Sequence, residues 1–526
     1  MKRFKETQWH GSLPYNLTRR GFLAGGACLA AARAFAAGGT GANLRVGILS
    51  DVHVDKVSAA KKLERALRYF DARKVDAVLI AGDLVTWNRY REFKLMAETW
   101  FKVFPDDRRS DGAGIERLFV TGNHDVDGFA YAGAKYKSLA EAKEDGFFFN
   151  REKFWREFFH EDYKPVSVKT VKGYKFVLRN WLCKVGPGDS PIAKEAGCSP
   201  EPNPTEEFLA SLELPGDRPF FYVQHEMPND TVNATWIVKG ARWQNGHDDG
   251  TSTRFLSKYP NAIAFSGHSH NSLTDEMSIW QGAFTAVNCS CNCGFVFTPP
   301  GRENGWSCDD FNRDPPLEMP PIDIYKVNQG MVMEVYDHAV VLERREFHYG
   351  HRLGPDWVIP TGRNAPRPYT VEKRLDEAKK PAFSEGAEVK VWQGEGFGRD
   401  AAGTKRATEP HAQVFVSFPA VRTADGSPVR AWDYAVRAEF AAGDIVKTLC
   451  ERYVFSEGAF YAEEDETKPV VCAFNRNDIP AKAPSLQKVR FVVTPRSCWG
   501  VDGEPIASPW MATGEIAPMQ KAKATA

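Results

Sequence analysis

The chain has 526 residues, 43% of them apolar and 26% charged, and Lys+Arg and Asp+Glu both number 68. This composition fills an ordinary globular core and excludes low-complexity, collagen-like and disulfide-dense mini-protein architectures. No uninterrupted apolar run reaches the roughly 20 residues of a spanning helix, which excludes a polytopic membrane protein.

The zero net charge depends on the N-terminal segment. Thr18-Arg19-Arg20-Gly21-Phe22-Leu23 precedes small, weakly apolar residues that end near Ala36-Ala37, the order of an export signal. Paired arginines followed by Phe-Leu resemble a twin-arginine leader, which addresses chains that fold before export, so residues 1–37 are expected to direct the protein to the periplasm or the exterior. An ordinary amphipathic N-terminal helix is the plainer alternative. Arg33 argues against a membrane anchor, and Gly25 stands where a lipobox before Cys28 wants Leu. Without residues 1–37 the chain keeps 62 basic and 67 acidic side chains. No Lys/Arg block remains to grip a nucleic-acid duplex.

From about 43 to 347, strand-like and helix-like pieces alternate. Leu44–Leu49 is a buried-strand run; Leu63, Ala66, Leu67 and Phe70 follow at helical spacing; Ala77–Ala81 and Leu118–Val120 are further strands. Strand, helix, strand makes a right-handed βαβ unit with parallel strands. Later strands are expected at Tyr174–Leu178, Phe220–Val223, Ala262–Phe265, Phe284–Val287, Met331–Val335 and Ala339–Leu342. The run Phe147-Phe148-Phe149, Phe154, Trp155, Phe158, Phe159 suggests substrate stacking, but packing of an inserted helix is the better reading. Prolines through 348–384 break any periodic element, as in a linker or wrapping arm. Over 385–518, short alternating runs separated by turns predict a smaller antiparallel β-sandwich.

Each strand of the first domain ends on a potential metal ligand. LRVGIL runs into Ser50-Asp51-Val52-His53, AVLIA into Gly82-Asp83, LFV into Thr121-Gly122-Asn123-His124-Asp125, FFYV into Gln224-His225, and AIAF into Ser266-Gly267-His268-Ser269-His270. Asp, Asn and His are poor choices for buried strand termini unless something satisfies them. Parallel strands end at one edge of a sheet, where ligands bind. On extended backbone, the two-residue spacing would turn Asp51 and His53 to one face, and likewise His268 and His270; Gly82, Gly122 and Gly267 would allow tight bends. Two carboxylates, one amide oxygen and four imidazoles suit Mn, Fe or Zn and make a poor calcium cage. Two such cations and a hydroxide leave a net positive, partly open site for an anionic ester.

In their order, Asp-x-His, Gly-Asp, Gly-Asn-His-Asp, a lone His after a strand and Gly-His-x-His resemble the calcineurin-like metallophosphoesterase superfamily, across about 300 residues. The resemblance implies an α/β fold, a two-sheet sandwich flanked by helices. It also implies one metal on Asp51, His53, Asp83 and His270, and a second on Asp83, Asn123, His225 and His268, with Asp83 bridging. It implies attack of a metal-bound hydroxide on phosphorus, with His124 contacting the phosphate and protonating the leaving oxygen. No covalent phosphoenzyme is expected. Purple acid phosphatases differ: they carry Gly in place of His53 and Tyr where this chain has Thr86, so no tyrosinate colour is expected. The C-terminal sandwich resembles immunoglobulin or fibronectin III-like modules.

Other features stay open. His124 could instead orient Asn123 from behind, and Asp125 could orient His124 or cap the next segment. Trp87 and Asn88 could line the pocket or sit on a surface loop; Trp236, Trp243 and His247 could cover it. Nine cysteines follow residue 37. In an exported protein disulfides come first, with a thiolate metal site at Cys289–Cys293 as the alternative. GxxxxGK[ST], GxSxG and HExxH are absent, so nucleotide-driven, serine-hydrolase and zincin chemistries have no support. A phosphate-ester hydrolase is the primary reading. The alternatives are a phosphodiesterase or nucleotidase acting on nucleotides or phospholipid head groups, and a cell-surface binding protein with a structural metal site.

Overall fold

In the computed structural model, residues 41–512 are described apart from 129–135, 236–247, 293–327, 397–409, 422–430, 457–468, 481–487 and a few shorter stretches. The leader at 1–37, Phe147 to Phe149, Trp236, Trp243, His247, Cys198, Cys293 and Cys308 lie outside the described residues.

The first sheet grows around β1 (Leu44–Leu49), which pairs in parallel with β2 (Ala77–Ala81). β2 is buried at all five positions, the continuous apolar run of a strand covered on both faces. Helix α1 (Val57–Ala72) makes the crossover and lays Leu63, Ala66, Leu67 and Phe70 on the sheet. Helix α2 (Tyr90–Val103) leads to β3 (Glu116–Val120), parallel to β2. The four-residue α3 (Asn123–Val126) follows directly. Helix α4 (Arg151–Phe159) packs Phe154 and Phe159 into the same outer core, with Phe154 5.1 Å from Phe93. For Phe154, Trp155, Phe158 and Phe159 this is the packing reading.

The second sheet runs β4 (Val166–Val171), β5 (Tyr174–Arg179), β6 (Phe220–Val223), β7 (Ala262–Ser266), β9 (Thr285–Asn288), β8 (Ile279–Gln281). Its β5, β6, β7 and β9 are mutually parallel. The chain then returns to the first sheet through β10 (Gln329–Val335), antiparallel to β1, and β11 (Ala339–Glu346). Leu44, Val46 and Ile48 from one sheet meet Phe176, Phe221 and Phe265 from the other in a fully buried layer. The expected α/β two-sheet sandwich with helices outside is the observed architecture.

The Pro-rich segment is not without periodic structure. It adds β12 (His351–Arg352) and β13 (Trp357–Pro360) to β11, burying Trp357 and Ile359. The following Tyr369 exchanges hydrogen bonds with Gln281 at the edge of the second sheet. The segment is therefore a strap across both sheets. Pro360 closes β13, at a strand end where a missing N–H costs little. Beyond it, β14 (Lys390–Gly396), β15 (His411–Pro419) and β18 (Pro469–Asn475) form one antiparallel sheet. A second contains β16 (Asp433–Ala442), β17 (Ile445–Phe455), β19 (Lys488–Arg496) and β20 (Ile506–Ala507). Val416, Phe418, Tyr434, Phe474 and Phe491 share their core. No helix among the described residues is long and apolar enough to cross a membrane.

Candidate metal centre

The carboxyl ends of β1, β2, β3, β6 and β7 converge at one place. One ligand atom from each of Asp51, His53, Asp83 and His270 lies within 4.8 Å of the others, and the same holds for Asp83, His225 and His268. Asp83 belongs to both groups. Asn123 joins the second through Oδ1, 3.0 Å from His225 Nε2. All seven of these side chains, drawn from five motifs, meet.

The backbone route differs from the expected one. Asp51, His53, Asp83, His268 and His270 all have φ between 48° and 67°, so the alternation of an extended strand is not what brings them together. The chain turns through left-handed conformations instead, a strain typical of functional sites. His268 and His270 consequently serve different groups. His268 Nδ1 approaches His225 Nε2 at 3.2 Å, while His270 Nε2 is 2.8 Å from Asp51 Oδ1 and 3.2 Å from His53 Nε2. Gly82 is left-handed, at φ 92°. A Cβ at Gly267 would overlap Ser50 Oγ and the Asp51 carboxylate, so this glycine is required for close approach.

Hydrogen bonds aim the donors. His225 Nδ1 is 2.8 Å from the Ala81 carbonyl; donation there turns Nε2 towards Asp83 Oδ2, 3.2 Å away. The backbone N–H of His268 donates to Asp51 at 2.9 Å, and that of His124 to Asp83 Oδ1 at 2.9 Å. Asn288 Nδ2 donates to the Gly267 carbonyl at 2.8 Å. Asp125 accepts from the N–H groups of Gly122, Leu84 and Val85. It therefore caps α3 and ties it to the Gly-Asp turn, the second of the two roles open to it.

The electrostatics call for positive charge. Burial opposes ionisation of Asp83, yet His225 and His124 hold its carboxyl well below the usual range. Burial likewise opposes a charge on His225, but Asp83, with Asp51 behind it, lifts its imidazole to about 10. Burial pushes His53 down to about 3 against the pull of Asp83, so it presents a neutral imidazole, the form that ligates metal. A mixed set of carboxylate, amide and imidazole donors around two anions fits first-row transition cations. Cys289 is buried nearby, where desolvation, then Asp51, raises its thiol well above the ordinary value; thiolate ligation is disfavoured at that position.

His124 is partly buried beside the donors, its ring 4.8 Å from that of His53. Its Nδ1 lies 2.7 Å from the Thr86 carbonyl. Two neighbours escaped the sequence analysis. Trp181 lies 5.9 Å from His268 between ring centroids and donates from Nε1 to Asp127 Oδ2 at 2.8 Å. Asn180 accepts the Thr121 N–H at 2.7 Å. Both follow β5, another parallel strand, so the strand-end rule that found the ligands would have found them.

Residues 44–272 match the family model for calcineurin-like phosphoesterases. The match marks that segment as similar to the calcineurin-like phosphoesterases. Similar solved structures include a dimetal phosphatase from Danio rerio (11% identity, 61% of this chain and 100% of that one, TM-score 0.35). Another is GAP50 of Plasmodium, described as the anchor in the inner membrane complex (12%, 63% and 93%, TM-score 0.34). A third is TT1561 of Thermus thermophilus (11%, 58% and 99%, TM-score 0.30). No curated protein matches the chain.

Proposed function

We propose that the protein is an exported, binuclear metal-dependent hydrolase of phosphate esters. The observation that carries this reading is the sharing of Asp83 by two adjacent ligand groups. Asp51, His53, Asp83 and His270 would hold one cation, and Asp83, Asn123, His225 and His268 the other; Mn, Fe and Zn suit these donors. When bound, the pair supplies Lewis-acid charge for the phosphoryl oxygens and acidifies a water.

The chain's own residues do the rest. Asp51 and Asp83, each held by a backbone N–H, fix the separation of the two donor groups. His124 is oriented through Nδ1 by the Thr86 carbonyl, which leaves Nε2 to hold a proton and deliver it to the leaving oxygen. Export rests on the twin-arginine segment at 18–23.

The test is reconstitution of the full chain with Mn²⁺, Zn²⁺ and Fe²⁺, counting metal per chain and assaying phosphate monoesters and diesters together. Two ions per chain with turnover of either ester class is the expected result. Two ions with no phosphoester turnover would instead support a binding protein with a structural metal site.

A further inference from the structure

Among the described residues, Trp181 and Trp87 stand beside the donors. Trp181 is buried. Its ring lies 5.9 Å from that of His268 and 6.0 Å from that of His225, its N–H goes to Asp127, and the Lys184 ammonium sits 3.9 Å over its face.

Trp87 is only partly buried. It follows Thr86, which orients His124, and its ring centroid lies 6.3 Å from that of His124, the planes at 68°. With Tyr136 and Cys183 it packs on a small apolar cluster around Ile192 and Ala193, separate from the main cores. Trp87 therefore brings apolar surface to the edge of the site at His124, the residue assigned to the leaving oxygen. The alcohol portion of the ester must pass the His124 ring, and among the described residues Trp87 is a large flat side chain at that edge.

We propose that Trp87 is a specificity-determining residue that stacks on the alcohol portion, so that the substrate class is an aryl or otherwise planar organic phosphate and not a small alkyl one. This rests on the phosphoesterase reading above. An aromatic pair contributes about two- to tenfold in affinity beyond simple area burial.

The experiment measures binding of phenylphosphonate and methylphosphonate, neither of which is hydrolysed, to the full Mn²⁺-loaded chain by calorimetry. The wild type is expected to bind the phenyl compound about two- to tenfold more tightly. Trp87→Ala should remove that ratio and leave the methylphosphonate Kd unchanged; Trp87→Phe should keep most of it. If the alanine variant does not fold, Trp87→Leu, apolar but without a ring, should lose the ratio in its place. Equal binding by the wild type, or a preference that survives loss of the ring, overturns the role of Trp87 alone. Binding of neither phosphonate by the loaded wild type overturns the phosphoesterase reading and this inference with it.

Discussion

Asp83 and His225 come from opposite sheets and meet with Oδ2 and Nε2 3.2 Å apart. Asp83 ends the second strand of one sheet and His225 the third strand of the other, so their contact is where the two halves of the sandwich share a donor set. Asp83→Asn keeps the shape but removes the charge common to both groups. Elemental analysis after loading is expected to show loss of both ions. Retention of two ions per chain would refute the bridging role.

Protons and cations compete at this contact. With His225 lifted to about 10 by Asp83 and Asp51, loading must displace a proton. Metal affinity should therefore rise with pH between about 6 and 9, by up to about tenfold per unit for one proton released. The metal-free protein should behave in the opposite sense. A histidine whose folded pKa exceeds its unfolded value near 6.5 contributes stability below that value and loses it as pH rises towards 10. Denaturant midpoints of the metal-free chain should fall between pH 7 and 10, and those of the loaded chain should fall less.

His124→Ala should leave metal content intact and lower turnover by about 10²- to 10⁴-fold on esters with poor leaving groups. The loss should shrink for 4-nitrophenyl esters, whose leaving oxygen needs little protonation. A uniform loss across leaving groups would move His124 from proton donor to orienting residue.

Gly267→Ala would drive a methyl group into Ser50 and Asp51. Relieving that overlap costs about 1–3 kcal/mol and displaces a first-group donor. The expected outcome is a lower Tm together with weaker metal binding, read by calorimetry and chelator competition.

Trp357→Ala tests the strap. Trp357 is 2% exposed, and the Arg344 guanidinium lies 4.2 Å over its ring. Truncation should cost about 3–5 kcal/mol. The loss should appear in the transition of the two-sheet domain, as followed by metal release during denaturation.

Much of this was legible because strand ends and ligands share one rule. Leu44–Leu49 and Ala77–Ala81 are apolar throughout, and each runs within two residues into a side chain of metal-binding type. The route by which they meet was not legible. A spacing of two between Asp51 and His53 reads as extended backbone, whereas both residues are left-handed, a conformation that the sequence marks clearly only at glycine. β4 was missed because four of its six positions are only partly buried or exposed, and β8 because it has three residues. Trp357–Pro360 was hidden by its flanking prolines, which mark strand ends as readily as loops.

His53 and His270 lie 217 positions apart in the chain and 3.2 Å apart at their ring nitrogens. An ion held between them would act as a reversible cross-link closing a very long loop. Such a link narrows the disordered ensemble much as a disulfide does, without needing an oxidant. Under the proposed export of the folded chain, the cargo and its fastener would travel together, and the ion would be chosen by the compartment where the chain is made.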